Sequence, residues 1–232
     1  MKKLIFLSLA CVFTSFMVFS QSNCSTFYPM EEGASYSYAL YNKKNKLEGT
    51  TDYKVSEVNS SGENTYATLQ LNFRDAKGKN AFESNYNITC TGEGIKIDYK
   101  SLFPSQMQQQ YTDMGLEMDI TGTDVELPNQ LSVGQDLKDA NVNVKMKMSG
   151  MNMNIDVNTI DRKVIGKESV TTAAGTFDCF VITARTKSKM MMANQEMSDK
   201  LWLSEGVGMV KQETYNKNGK LLSRMELSQF AK

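Results

Sequence analysis

The feature that most constrains the fold is a strict two-residue alternation in the stretch VNVKMKMSGMNMNIDV, residues 142–157. If Ser149 and Gly150 form a two-residue turn, the two arms become antiparallel strands whose apolar residues share one face. The predicted pairs are Met148–Met151, Met146–Met153, Val144–Ile155 and Val142–Val157. A slip of one residue would turn this whole apolar set to solvent, so the stretch predicts a β-hairpin in a fixed register.

The same period of two recurs along the rest of the chain and predicts further strands. It appears in residues 35–41, 65–73, 94–99, 176–186 and 208–215. The connecting stretches 41–47, 74–79 and 215–221 contain the Asn, Asp and Gly residues that tight turns require. We therefore predict an all-β domain of antiparallel strands. The exception is one short helix from about Pro104 to Asp113, where apolar residues follow a helical spacing and Pro104 suits the first turn.

The first 21 residues read as a cleaved signal peptide. Lys2 and Lys3 precede an uncharged apolar run, and Ser20 with Gln21 offers a cleavage site. Retention of the run as an anchor and lipidation at Cys11 stay open as alternatives. The mature chain, 22–232, is predicted to be one β-rich domain, since no Gly/Ser-rich linker divides it. Basic and acidic residues number 26 each and form no basic patch, so a nucleic-acid partner is not expected.

The mature chain keeps three cysteines, which allow one intramolecular disulfide at most. Cys179 lies in an apolar strand pattern, TFDCFVI, where a buried free thiol is the ordinary interpretation. The predicted disulfide therefore joins Cys24 to Cys90.

The chain contains no histidine, which excludes a Ser-His-Asp or Cys-His catalytic arrangement. A Ser-Lys or two-carboxylate mechanism stays open, although no motif points to either. Asp119, Asp124 and Glu126 are interpreted as solvated turn carboxylates, and Trp202 as a core or rim aromatic. We expect a protein that is not an enzyme, with no catalytic residue, cofactor or metal.

Three interpretations compete for the methionine-rich hairpin. Thioethers can bind copper(I), but copper sites also recruit His or Cys, and this chain lacks His. The methionines can fill a solid core, or they can line a cavity for varied apolar ligands. On the last interpretation the candidate ligand-binding residues are Met146, Met148, Met151, Met153, Met190 and Met192.

Three segments together resemble a known family. They are CSTFYPMEEG at 24–33, TAAGTFDCFVI at 172–182, and WLSEGVGMVK at 202–211 followed by a Gly219–Lys220 turn. Their order is similar to that of TapB-like, DUF-type periplasmic proteins, exported bacterial proteins of unassigned function. The resemblance implies a strongly curved antiparallel sheet, or open half-barrel, like those that carry lipoproteins. It implies no catalytic residues.

The expected function follows from the hairpin and the resemblance together. We expect an exported cell-envelope protein, periplasmic or associated with the outer membrane, that binds an apolar or lipid-like ligand or a lipidated partner. The alternative is a structural or protein-interaction module of the envelope, with an envelope protein as partner and no small-molecule ligand.

Overall fold

The structure is a computed structural model and describes residues 24–102, 113, 117–148, 151–190 and 193–232. Within these residues thirteen strands form one antiparallel sheet, and a 3-10 helix spans Tyr99–Leu102. The strands are β1 (Ser35–Asn42), β2 (Leu47–Ser61), β3 (Asn64–Asp75), β4 (Asn80–Thr91), β5 (Gly94–Ile97), β6 (Glu117–Gly122), β7 (Val125–Pro128), β8 (Ala140–Met148), β9 (Met151–Thr172), β10 (Gly175–Met190), β11 (Ala193–Ser204), β12 (Gly208–Asn216) and β13 (Leu221–Ala231).

The order of the strands shows that the sheet is strongly curved. Its order is β6-β8-β9-β10-β11-β12-β13-β1-β2-β3-β4-β5-β7, so β6 and β7 are the two outermost strands. Only Thr123 and Asp124 connect them along the chain. The two edges of a thirteen-stranded sheet must therefore come together, although no ladder joins them among the described residues. The all-β class and the open, curved antiparallel sheet expected from the sequence are confirmed.

A short irregular segment after β7 crosses the seam between the two edges. It bonds to β9 beside a bulge: the Val164 N–H donates to the Gln135 carbonyl (2.9 Å), and the Leu137 N–H to the Arg162 carbonyl (2.7 Å). The buried Arg162 guanidinium also donates to the Glu126 carbonyl of β7 (3.0 Å). Backbone groups that an open edge would leave unpaired are thereby satisfied.

Hairpin turns alternate between the two ends of the sheet. We call the end with turns 62–63, 92–93 and 205–207 the plugged end, because the N-terminal segment 24–34 packs inside the sheet there. The main core lies at this end and consists of Phe27, Met30, Ala34, Val55, Ala67, Leu69, Ile88, Cys90, Ile95, Leu127, Leu137, Val164, Phe180, Ile182 and Leu203. We call the opposite end, with turns 43–46, 76–79 and 217–220, the methionine end.

Two sequence predictions fall largely outside the described residues. The signal peptide, 1–21, does so entirely. Of the helix expected from Pro104 to Asp113, only Asp113 is described, and it is helical. The hairpins expected at 41–47, 74–79 and 215–221 are confirmed as the β1–β2, β3–β4 and β12–β13 connections.

Candidate functional site on the concave face

The methionine-rich hairpin forms in the register that the sequence predicts. Met148 pairs with Met151 and Met146 with Met153. Val144–Ile155 and Val142–Val157 complete the four expected pairs, so the register prediction is confirmed. The turn residues Ser149 and Gly150 lie outside the described residues.

The neighbouring strands extend the apolar face of the hairpin in both directions. Met118 of β6 pairs with Met146, which places three methionines in a row with Met153 across β6, β8 and β9. The next row toward the plugged end consists of Ile120, Val144, Ile155 and Met190. Met190 therefore belongs to the same face as the hairpin methionines, as the ligand-binding hypothesis requires. Met118 completes the first row and was missed, because only the register between β6 and β8 brings it beside Met146.

Burial along this face changes from covered to exposed. Val144 and Met146 are buried, and Met118 and Met153 are half-buried. Met190, close to the β10–β11 turn, is 54% exposed. Met192 lies outside the described residues. The face is thus neither a fully exposed patch nor a fully buried core row.

The row pattern identifies this face as the concave side of the sheet. Ile182 and Phe180 of β10 belong to the main core, and Met190 lies on the same side of that strand because side chains alternate. On β11 the same relation holds between the core residue Leu203 and Asp199. The concave side is therefore continuous from the plugged end to the methionine row.

A polar cluster interrupts the concave side between its two apolar parts. The carboxylate of Asp199 accepts hydrogen bonds from the Thr214 hydroxyl (2.7 Å), the Thr186 hydroxyl (3.2 Å) and the Gln212 amide (3.4 Å). The four side chains are half-buried. Sequence reasoning missed this cluster, because its members come from β10, β11 and β12 and only the register brings them together.

The cysteines divide as the sequence suggests. A disulfide joins Cys24 to Cys90, whose Cα atoms are 6.0 Å apart. Asn129 fastens the same segment, since its amide donates to the Cys24 carbonyl (2.8 Å) and its oxygen accepts from the Thr26 N–H (2.8 Å). Cys179 is a buried free thiol, and burial raises its pKa to about 11. A thiol held in its protonated form is a poor nucleophile at neutral pH.

The described residues also enclose a polar cleft beside the β11–β12 turn. Its volume is about 530 Å³, and its lining includes Lys167, Glu168, Asp178, Cys179, Ser204 and Glu205. The Lys167 ammonium lies 4.2 Å from the centre of the Phe180 ring, and no hydrogen bond joins it to Ser204 among the described residues. No described methionine lines this cleft or two smaller cavities of about 400 Å³ each.

Trp202 is buried on the convex side, where its indole N–H donates to Glu168 (2.7 Å). The ammonium groups of Lys200 and Lys211 each lie 4.5 Å from the centre of its ring. Trp202 thus packs in a small core of its own with Cys179, Val181 and Val210. Its burial fits the interpretation as a core aromatic.

Two further features are absent from the described part of the chain. Nowhere in it do three Cys, Asp or Glu side chains gather as a metal site requires. Nor does it contain a helix long and apolar enough to cross a bilayer.

Comparison with known proteins places the fold among crystallised bacterial proteins. A candidate exported protein with a YmcC-like fold from Bacteroides fragilis NCTC 9343 aligns with a TM-score of 0.70 at 21% identity, covering 90% of this chain and 100% of its own. A candidate lipoprotein from Parabacteroides distasonis ATCC 8503 aligns with a TM-score of 0.69 at 24% identity, covering 89% and 99%. No curated protein matches the chain. The DUF3108-like family model matches residues 31–227, and the chain therefore belongs to the DUF3108-like family.

Proposed function

We propose that this protein is a non-enzymatic component of the cell envelope that binds an apolar or lipid-like ligand, or a lipidated partner, on its concave face. The observation that carries the proposal is the continuous apolar surface of the methionine end. Met118, Met146 and Met153 form one row of that surface, and the next row ends at the exposed Met190.

The chemistry of methionine suits such a role. Its unbranched thioether side chain adapts to differently shaped apolar groups, and methionine-rich surfaces are used by promiscuous binding proteins. The concave side of a curved sheet favours binding, because a ligand there loses more contact with water than a ligand on a flat surface. An exposed apolar residue that continues a half-buried row marks where a ligand would gain contact area.

The envelope location rests on two independent supports. Residues 1–21 have the charge and apolar pattern of an export signal. Two structural relatives are described as a candidate exported protein and a candidate lipoprotein. Both a periplasmic and an outer-membrane-associated position fit these supports. The narrower TapB-like assignment within the DUF-type proteins belongs to the same proposal.

A neutral apolar fluorophore, N-phenyl-1-naphthylamine, tests the proposal directly. The purified mature protein should enhance its fluorescence with a saturable binding curve. Met190→Asp should weaken binding about fivefold, since the half-exposed thioether contributes roughly 1 kcal/mol of apolar contact.

The matched control is Ile165→Asp. Ile165 is 48% exposed and lies in the β9 bulge opposite Val181 and Ile182, about 26 Å from Met190 along β10. Its substitution should change probe affinity less than about twofold. An absence of saturable binding, or equal losses in the two variants, would refute a ligand site on the concave face. The envelope interaction module without a small-molecule ligand would then be the better account.

A further inference from the structure

We infer that the concave face selects amphiphiles whose head group carries an ammonium group, and that Asp199 is the residue that determines this preference. The inference rests on the proposed function and adds the class of ligand. It follows from the charges along the concave side, from the orientation of one carboxylate, and from the distance between that carboxylate and the methionine end.

Asp199 is the one charged residue in the three concave rows between β10 and β1. On β9 its row meets the bulge at Arg162, whose buried guanidinium donates to the Lys138 carbonyl (2.6 Å) and the Glu126 carbonyl (3.0 Å) at the seam. The row of Asp199 itself consists of Ala184, Asp199, Thr214, Ser223 and Asn42. The adjoining row toward the methionine end consists of Thr186, Met197 and Asn216, and the row toward the plugged end of Ile182, Leu201, Gln212, Met225 and Leu40. No Lys, Arg or Glu occurs in these three described rows.

The carboxylate is held in place by neutral donors. Thr214 and Gln212 donate to one oxygen of Asp199, and Thr186 donates to the other. None of the ion pairs among the described residues includes Asp199. Hydrogen bonds from neutral groups orient a carboxylate without neutralising its charge. Its negative potential is therefore available to a ligand, and a half-buried position strengthens that potential relative to bulk water.

Asp199 and the methionine end lie on the same face of the sheet. Ala184, which pairs with Asp199, lies six residues before Met190 on β10, a separation of about 20 Å along the strand. Met197 lies between the two positions on β11. An extended apolar chain resting on the methionine rows would thus bring its head group toward the carboxylate. An ammonium head group would be attracted there, and an anionic head group would be repelled.

The test compares two amphiphiles that share one alkyl tail and differ in the sign of their head group. Dodecylamine and laurate, each below its critical micelle concentration, compete for the protein against N-phenyl-1-naphthylamine at neutral pH. We expect dodecylammonium to bind roughly three- to tenfold tighter than laurate, and the preference to shrink as salt is added. Asp199→Asn should remove the preference while leaving binding of the neutral probe unchanged.

The control is Glu196→Gln, which removes one negative charge from the opposite face of the same strand. It should keep the preference of the wild-type protein. Equal affinities for both amphiphiles, or tighter binding of laurate, overturn the inference and leave the proposed function standing. Failure of both amphiphiles and of the neutral probe overturns the two together. The wild-type measurement and its salt dependence decide the matter even if Asp199→Asn folds poorly.

Discussion

The two ends of the curved sheet differ in how far their concave apolar residues are covered. At the plugged end the protein's own N-terminal segment fills the concavity: Phe27 is 1% exposed and packs edge-on against Phe180, with ring centres 6.1 Å apart. At the methionine end the apolar face passes from the buried Met146 to Met190, which is more than half exposed. One end is a finished core, and the other is a surface that can gain contacts.

The residue types differ in the same sense. The plugged end relies on a disulfide, an edge-to-face aromatic pair and β-branched residues such as Val55 and Val164, all of which have few alternative conformations. The methionine end relies on side chains with three rotatable bonds, beside a polar cluster around Asp199. If the proposed function holds, stability and ligand binding depend on different ends, and substitutions at each end should affect different measurements.

The largest expected effect tests whether the plugged end carries the stability. Phe27→Ala removes a fully buried ring and should lower the free energy of unfolding by about 3–5 kcal/mol. Met190→Ala, at the other end, should lower it by less than about 0.5 kcal/mol. Urea denaturation of both variants measures the difference. Similar losses would show that the two ends are not energetically distinct.

The second effect concerns the covalent attachment of the plug. The Cys24–Cys90 bond closes a loop with a sequence separation of 66 residues. Reduction should lower the stability of the wild-type protein by about 2–4 kcal/mol, mainly through the greater freedom of the unfolded chain. A Cys24→Ser/Cys90→Ala variant should match the reduced protein and should not respond to dithiothreitol. A reductant response in that variant would assign the effect to another group.

The third effect sharpens the boundary between the two ends, where tyrosines are buried. The Tyr38 hydroxyl donates to the Met209 carbonyl (3.0 Å), whereas the buried Tyr36 hydroxyl has no hydrogen-bond partner among the described residues. Tyr38→Phe should therefore cost about 1 kcal/mol, and Tyr36→Phe should be neutral or stabilising. Thermal unfolding of the two variants measures whether their changes in stability differ in sign as expected. A loss in Tyr36→Phe comparable to that of Tyr38→Phe would mean that the Tyr36 hydroxyl is hydrogen-bonded in solution.

The sequence predicted the local part of this architecture well. Alternation determines which residues share a face, so the pairing of Met146 with Met153 and the turns after Asn42 and Asp75 followed from neighbouring residues alone. The disulfide followed from counting cysteines. The open, curved sheet came from the family resemblance, because curvature accumulates over many strands and leaves no mark in any one of them.

What the sequence could not provide depends on registers between distant strands. The row that joins Met118 to Met146 needs the pairing of β6 with β8, across a connection of 17 residues that includes β7 at the opposite edge of the sheet. The cluster around Asp199 likewise needs three strands aligned at once. The sequence also does not predict that Phe27 packs inside the sheet, because no pattern in the adjacent residues shows that this irregular segment turns inward. Packing of this kind depends on the registers of many strands together.

The smallest expected effect extends the comparison to the convex side, with Trp202 as its reporter. A hydrogen bond from the Trp202 indole, with the neighbouring Lys200, lowers the pKa of Glu168 from its ordinary value of 4.5. A carboxyl whose pKa is lower in the folded state adds stability that is present above the unfolded-state pKa and is lost as the pH falls through the folded one.

The contribution should be under about 1 kcal/mol, because the Glu168 side chain is 48% exposed and solvent screens it. The fluorescence of the single tryptophan should therefore change with a midpoint below pH 4.5, while the protein remains folded by far-UV circular dichroism. Glu168→Gln should abolish this transition and leave probe binding on the concave face unchanged, since Glu168 contacts the convex side. A parallel loss of probe binding in that variant would show that the convex and concave faces are energetically coupled. Substitutions on one face would then alter the properties of the other, and the plugged and methionine ends could not be treated as independent.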